Sequence, residues 1–442
     1  MLDFLRKHIS YDNPFRRGWH LLRGMIAATL YAFPAQKLFC IGITGTNGKT
    51  TTTHLIEHIL RNAGKKVAMV STVAFAVNGK QTPNHSKMTT LKPFQLQRFL
   101  RDCVKQGIEI AVIEASSQAL HQYRLWGIPF RVAALINITH EHINYHGTME
   151  KYKESKKMLF RGVQTAVLNT ADQYFEDFMK LPAPQKITYG FERGDLQAKD
   201  LQFSKFGTHF TMSFRAKPRN PLQEISPLAS LGRNDIGKVD VHLPLPGEYN
   251  VENALAATGA TLACGIPLAQ IAEALQTFEP VPGRMERIES PKGFEVIVDF
   301  GLTPDALQKL YTVIRRTAPA RVIGIIGSCG TRDLEKRPHL GRIVAQHSDL
   351  TIITDEEAYT EDPKKIMDDV LQGALQTGKR KGIEVELIED RYEAIEYAVA
   401  HAEPQDTIVV TGMGNFTTRT MNQGPIPWDE RQVVREIIAK YV

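Results

Sequence analysis

Phe39-Cys-Ile-Gly-Ile-Thr-Gly-Thr-Asn-Gly-Lys-Thr-Thr-Thr-Thr53 decides how this chain is read. The apolar run Leu38 to Ile43 reads as a buried strand, and His54 to Asn62 carries a helical pattern. Between them lie Gly42, Gly45 and Gly48, then Lys49, Thr50 and Thr51. Strand, glycine-rich turn and helix together build a phosphate cradle, because glycines let backbone N–H groups face an anion and the helix N-terminus adds positive potential. In that reading Gly45, Thr46, Asn47, Gly48 and Thr51 line the cradle. Lys49 reaches the terminal phosphates and the Thr50 hydroxyl ligates Mg²⁺. The strict P-loop pattern wants glycine at position 43, where this chain has Ile43. A glycine-rich strand-to-helix turn without a ligand is the bland alternative.

Outward from the loop, strands and helices alternate. Val67 to Val73, Ile108 to Glu114, Val132 to Ile138 and Thr165 to Asn169 read as strands, and Pro93 to Lys105 as a helix. Apolar strands spaced by helices imply a mostly parallel sheet. From residue 186 to 245 the pattern changes to period two, as in Leu201 to Phe206 and Thr208 to Phe214, which predicts antiparallel strands. Arg215 to Lys238 reads as a long loop. A second alternation begins near residue 285, with strands at Phe294 to Asp299, Val322 to Gly327, Leu350 to Thr354, Val385 to Ile388 and Thr407 to Thr411. The expected fold class is α/β: a short helical segment over 1–37, a P-loop domain over 38–284 and a Rossmann-like domain over 285–442.

The 442 residues suit two or three domains, and 43% hydrophobic with 23% charged residues is ordinary for a globular protein. A formal charge of +6 suits anionic small substrates as well as nucleic acid and decides little. Cys40, Cys103, Cys264 and Cys329 form no CxxC pair, which fits a reducing cytoplasm and suggests no zinc site. Trp19 to Phe33 is apolar but too short to span a bilayer. With Arg6, Lys7, Arg16, Arg17 and Arg23 nearby, two readings stand: a helix on an anionic membrane surface, and a helix packed on the protein.

Glu114 ends a predicted strand close to the loop. In an open parallel sheet ligands gather at the strands' carboxyl ends, so this carboxylate is a candidate Mg²⁺ ligand; a helix-capping or surface acid is the alternative. Asn137 to Gly147 also follows a strand and holds His140, His142 and His146. Three histidines suggest zinc, yet the location points to the nucleotide site, and satisfied loop histidines stand as the plain reading of His140 and His146. Lys156, on an amphipathic helix, reads by charge alone as a solvated lysine.

Together these stretches resemble the Mur ligase family, nearest its MurE branch, the UDP-N-acetylmuramyl-tripeptide synthetases. The resemblance covers about Leu38 to Val442. It rests on the loop, Met88-Thr-Thr90, Glu114 to Leu120, Asn137 to Gly147, Tyr152 to Phe160, Pro246 to Asn253, Gly283 to Glu286, Val298 to Asp305 and Gly330 to Pro338. It implies an ATP- and Mg²⁺-dependent amide ligase. The acceptor carboxylate takes the γ-phosphoryl group, and the amine of an amino acid then displaces phosphate. By this resemblance Lys49, Glu114, His142 and Lys156 are catalytic. Thr50 and Glu114 hold one Mg²⁺, and His142 with a carbamylated Lys156 serves a second. Asn250 meets the adenine, and Arg284 and Asp299 meet phosphate and ribose. Thr89, Thr90, Ser117 and Arg124 hold the acceptor, while Arg332 and Tyr359 lie at the amino-acid end. The partners implied are small molecules, a muramyl peptide or another carboxylate acceptor and an amino acid, and no nucleic acid.

The departures are specific. About 37 residues precede the loop, where full-length MurE proteins carry a UDP-binding domain of roughly a hundred. The family's Asp-Asn-Pro-Arg before Thr360 is Glu356-Glu-Ala-Tyr359, its Gly-Lys-Gly-His-Glu is Gly412-Met-Gly-Asn-Phe416, and Leu302 replaces a histidine. Two further readings therefore stand beside the first: a folylpolyglutamate- or cyanophycin-type ligase with a non-sugar acceptor, and a nucleotide-binding scaffold without turnover.

Overall fold

The computed structural model describes residues 13–215, 236–318, 320–331 and 333–441. They form two compact units, Met1–Gln202 with Phe206–Phe278, and Phe203–Lys205 with Glu279–Val442.

The first unit opens with the helix Pro14–Leu30, capped by Asn13, whose side chain accepts from the Phe15 N–H at 2.9 Å. A 3₁₀ turn, Pro34–Lys37, leads into β1 (Phe39–Thr44). The sheet continues with β2 (Val67–Val70), β3 (Ala74–Val77), β4 (Lys80–Pro83), β5 (Ile110–Glu114), β6 (Phe130–Leu135), β7 (Thr165–Asn169), β8 (Gln185–Gly190), β9 (Leu196–Ser204), β10 (Gly207–Arg215) and β11 (Ile236–Leu243). Its order is β11-β10-β9-β8-β7-β6-β1-β5-β2-β3-β4. β1 pairs in parallel with β5 and β6, and β2 with β5. These central strands are buried almost throughout, as a sheet covered on both faces requires. Antiparallel pairs lie toward the flanks, among them β2 with β3, β3 with β4, and β10 with β11.

Ile43 stands opposite Glu114 and Thr44 opposite Leu135, so the carboxyl ends of β1, β5 and β6 open onto one edge. Ile43 itself is wholly buried in β1. The strand thus runs on through the position where the strict P-loop pattern turns, and the cradle begins at Gly45. The following helix, Lys49–Asn62, starts five residues before the apolar periodicity does. Its first turns are threonines, poor helix formers that are held here by tertiary partners. Of the long loop expected over Arg215 to Lys238, residues 216–235 lie outside the described residues. Its end is strand instead, because Arg215 pairs with Ile236 and Ser213 with Lys238.

The second unit carries a sheet of order β12-β13-β17-β14-β15-β16, from β12 (Glu286–Glu289), β13 (Glu295–Asp299), β14 (Val322–Ile326), β15 (Leu350–Ile353), β16 (Val385–Leu387) and β17 (Thr407–Thr411). All its pairs are parallel except β12 with β13. A separate hairpin joins β18 (Thr418–Met421) to β19 (Gly424–Pro427). Cys40, Cys103, Cys264 and Cys329 are thiols, none of them in a disulfide. Among the described residues no helix is long and apolar enough to cross a membrane.

Candidate active site

The loop after β1 is held from outside by side chains, Asn137 foremost. Asn137, just past β6, accepts from the N–H groups of Thr46 and Asn47 at 3.2 and 2.9 Å and donates back to the Asn47 carbonyl. Thr46 Oγ1 also lies 3.0 Å from the Tyr152 hydroxyl. Gly48 caps the helix with φ +84°, and a Cβ there would sit 2.2 Å from Asn253 Oδ1. Only glycine meets both demands. Thr51 is buried in the first turn of this helix, within the cradle's reach.

Glu114 is buried at the end of β5, which excludes the surface-acid reading. Three neutral groups meet it. The Thr50 hydroxyl donates to its two oxygens at 3.1 and 3.2 Å, the Thr72 N–H donates to Oε2 at 2.8 Å, and the Thr72 hydroxyl lies 3.1 Å from both. The Glu114 carboxylate and the two threonine hydroxyls are hard oxygen ligands, and they fit a magnesium ion that takes its remaining ligands from phosphate and water. No motif pointed to Thr72. Its only signal is its place just beyond β2, beside β5.

Lys156 is completely buried, against the charge-based expectation of a solvated side chain. Its Nζ donates to the Gly45 carbonyl at 2.7 Å and lies 4.5 Å from the centre of the Tyr152 ring. Lys49 Nζ donates to the same carbonyl at 3.0 Å and to that of Thr46 at 2.8 Å. Burial, and then the neighbouring Lys49 charge, push Lys156 well below the usual lysine value, with Asp172 opposing. A lysine held toward its neutral amine is a nucleophile, which is the form that reacts with carbon dioxide.

His142 sits in the left-handed region at φ +59°, with its ring 6.1 Å from Tyr152, so it and Lys156 flank one tyrosine. His146 is buried, with Nε2 3.0 Å from Ser117 Oγ and Nδ1 3.3 Å from Ser155 Oγ, a satisfied histidine. His140 is exposed. Among the described residues no group of three or more His, Cys, Asp or Glu is placed to hold a metal. The zinc suggestion therefore has no geometry behind it.

Three of the expected acceptor residues, Thr89, Thr90 and Arg124, lie in one hydrogen-bond network with Glu114. Thr89 Oγ1 is 3.1 Å from Thr72 Oγ1. Thr90 donates to the Glu114 carbonyl at 2.8 Å and accepts from the Ser116 N–H. Arg124 donates to the Thr90 carbonyl at 3.1 Å and to Gln122 Oε1, and burial lowers its pKa. Ser117 instead pairs with His146, its Oγ 3.0 Å from Nε2. Asn250 lies at the start of the helix Glu248–Leu262, bonded to the Pro246 carbonyl at 2.8 Å and to Asn253 at 3.3 Å.

In the second unit Asp299 ends β13 and accepts from the N–H groups of Met285 and Gly301, each at 2.7 Å. Burial raises its pKa, against the pull of Arg284 and these amides. Arg284 stacks 4.2 Å over the Phe300 ring. Tyr359 has φ +53°, and its hydroxyl donates to Glu357 Oε2 at 3.3 Å. Phe416 packs edge-on against Phe300, centroids 4.9 Å apart. Arg332 lies outside the described residues.

Residues 43–261 match the sequence model of the Mur ligase middle domain, and residues 283–414 that of the Mur ligase glutamate ligase domain. The chain belongs to the Mur ligase family. It is 36% identical over 417 residues to the UDP-N-acetylmuramoyl-L-alanyl-D-glutamate–2,6-diaminopimelate ligase of Clostridium botulinum, covering 94% of this chain and 80% of that one. It is 34% identical over 433 residues to the UDP-N-acetylmuramyl-tripeptide synthetase of Roseiflexus, covering 94% and 81%. A solved structure of a diaminopimelate-adding ligase superposes with a TM-score of 0.63 at 30% identity, over 95% of this chain and 83% of that one. Mur ligases are ATP-dependent enzymes that form amide bonds, and this chain is a ligase of the MurE type.

Proposed function

We propose that this Mur ligase joins an amino acid to the carboxylate of a muramyl peptide in cell-wall precursor synthesis, and that its amino acid is not diaminopimelate. The buried Thr50–Glu114–Thr72 cluster under the Gly45–Thr51 loop carries the reading, because it joins the phosphate cradle to the acceptor-side threonines through hydrogen bonds. Relatives at 34–36% identity that act on muramyl peptides support it over the folylpolyglutamate alternative.

The loop amides from Gly45 to Thr51 cradle the ATP phosphates, and Asn137 keeps the loop in shape for them. Lys49 leaves its own loop's carbonyls to meet the γ-phosphoryl group, where charge accumulates. Thr50 and Glu114 would hold Mg²⁺, which neutralises phosphate charge when bound. The acceptor carboxylate, oriented by Thr89, Thr90, Ser117 and Arg124, attacks the γ-phosphorus as the bond to ADP breaks. The amine then adds to the acyl phosphate, loses a proton, and phosphate leaves as the amide forms. Lys156 as an amine reacts with carbon dioxide to give a carbamate and a proton. That anion, with His142, would suit a second Mg²⁺, and the ammonium form would not. Asn250 serves the adenine, Arg284 and Asp299 the phosphate and ribose, and Arg332 the amino acid's α-carboxylate.

The amino-acid end differs from a diaminopimelate site in chemistry. Tyr359 and Phe416 stand where the family places an arginine for the distal carboxylate and a glutamate for the distal ammonium, and Phe416 is packed on Phe300. The test is phosphate release from ATP with UDP-linked and lipid-linked muramyl dipeptides against a panel of amino acids, with mass spectrometry of the product. Release that needs both acceptor and amino acid, giving an amide, is expected. ATP turnover indifferent to both, or diaminopimelate as the best amine, overturns the reading.

A further inference from the structure

The helix Pro14–Leu30 is built inside out for a surface helix in water. Its buried residues are the small ones, Gly24, Ala27 and Ala28. Its large apolar residues face outward: Phe15 is 89% exposed, Trp19 57% and Leu30 68%, with Leu22, Met25 and Ile26 also exposed. At about 100° per residue these six fall within less than half of the helix circumference. The outward face is therefore one continuous apolar stripe running the length of the helix. Soluble proteins rarely leave such a patch uncovered.

The buried side is fixed firmly. A Cβ on Gly24 would lie 2.7 Å from the Tyr123 carbonyl and 3.0 Å from Trp126 Cβ, and one on Gly127 would lie 2.9 Å from Ala28 Cβ. Arg17 donates to the Tyr123 hydroxyl at 3.1 Å. The small residues permit this close seat, and the seat forces the large ones out. The stripe is thus a built feature of the surface rather than a frayed end.

Charge selects the occupant. The helix holds Arg16, Arg17 and Arg23 and no Asp or Glu. Arg16 and Arg23, seven residues apart, fall at one edge of the apolar stripe. An apolar stripe edged by arginine and free of acid matches the boundary between anionic headgroups and acyl chains, where a helix lies in the plane of the membrane. At 17 residues with three arginines it is not a span, and no described helix is. We propose that this helix docks the protein on the surface of an anionic phospholipid bilayer. Its seat on Tyr123 to Gly127 adjoins Arg124, so docking would also bring the acceptor-side residues to the membrane. Only that consequence rests on the ligase reading.

Vesicle co-sedimentation tests the proposal without any assay of turnover. The full chain is mixed with phosphatidylglycerol or phosphatidylcholine vesicles, alongside Trp19→Glu/Ile26→Glu and Arg16→Gln/Arg23→Gln, with circular dichroism confirming that each variant is folded. The wild type is expected to favour phosphatidylglycerol by about tenfold or more, to release in about 0.5 M salt, and to lose binding in the first variant and most of it in the second. Trp19 fluorescence should shift to the blue on these vesicles and not in Trp19→Phe. Failure to bind either vesicle, equal binding to both, or undiminished binding by Trp19→Glu/Ile26→Glu overturns it. So does a lipid-free dimer that this variant dissociates, which would show a second copy covering the stripe.

Discussion

Lys49 and Lys156 donate to one backbone oxygen, that of Gly45, at 3.0 and 2.7 Å. Two ammonium groups on one carbonyl repel each other, and the fully buried Lys156 is the one driven toward its neutral amine. Carbamylation would replace that repulsion with an attraction to Lys49. Lys156→Ala is therefore expected to cut the turnover rate by several orders of magnitude. Added acetate or formate should restore part of it by supplying the missing anion, and Lys156→Arg should not respond. Removal of dissolved carbon dioxide should slow the wild type. Rescue of the arginine and alanine variants to the same degree would sink the carbamate.

Thr72 touches both Glu114 and Thr89 and belongs to no motif. Thr72→Val keeps the volume and removes the hydroxyl. Hydrogen bonds to charged groups contribute about 1.5–3 kcal/mol, so kcat is expected to fall roughly tenfold to a hundredfold. Thr72→Ser should stay near wild type. Equal activity in the valine variant would show that the Thr50 and backbone contacts suffice to hold the carboxylate.

How far the sequence reveals this site depends on whether a residue's role is local. The loop is legible because strand, glycines and helix are neighbours in the chain, and Glu114 because it ends a strand. The burial of Lys156 is not legible, since Glu150 to Lys157 carries the charge of a solvated helix and only tertiary packing puts its Nζ under the loop. Thr72 leaves no trace because a threonine after a strand is unremarked until β5 is laid beside β2. In the sheet, the strands around the loop are read correctly from their apolar runs, whereas β8, which pairs in parallel with both β7 and β9, lies in a stretch read as antiparallel. The short hairpin strands β3 and β4 are missed because Ala74–Val77 alternates over only four residues and Lys80–Pro83 is exposed throughout.

Gly48 combines φ +84° with a hypothetical Cβ 2.2 Å from Asn253 Oδ1. Gly48→Ala is expected to cost roughly 1–2 kcal/mol for the left-handed backbone alone, with the clash added. Asn253→Gly removes the clashing atoms and leaves the backbone cost. In a double-mutant cycle by urea unfolding, the pair should therefore be less destabilised than the sum of the singles. Strict additivity would mean that the loop relaxes away from Asn253 unaided.

His20 has a buried Nε2 without a hydrogen-bond partner among the described residues, and burial with Arg16, Arg23 and Arg124 nearby pushes its pKa down to about 4. The unfolded chain takes up this proton near pH 6.5, where the native state refuses it. The neutral native ring is thus no liability above pH 6.5. Stability is lost as pH falls from 6.5 to about 4, and this contribution is flat below that. His20→Gln should lose less of its thermal midpoint over that window than the wild type. Parallel curves would show that other groups govern the acid side.

Tyr359 and Glu357 are coupled, and this bears on any attempt to convert the amino-acid specificity. Tyr359 donates to Glu357 Oε2, while Glu357 Oε1 accepts from the Thr420 N–H at 2.9 Å. Both residues are changed from the Asp-Asn-Pro-Arg pattern, in which asparagine precedes the arginine by two. Tyr359→Arg alone would place a guanidinium beside the buried Glu357 carboxylate, which would claim it as an ion pair and leave nothing for a substrate's distal carboxylate. Turnover with diaminopimelate should therefore stay at background in the single variant. Glu357→Asn with Tyr359→Arg frees the arginine, and diaminopimelate turnover should rise by about tenfold or more over either single change. Product mass spectrometry with competing amino acids reads the outcome. A single Tyr359→Arg variant that accepts diaminopimelate as well as the double variant would show that Glu357 does not guard the pocket.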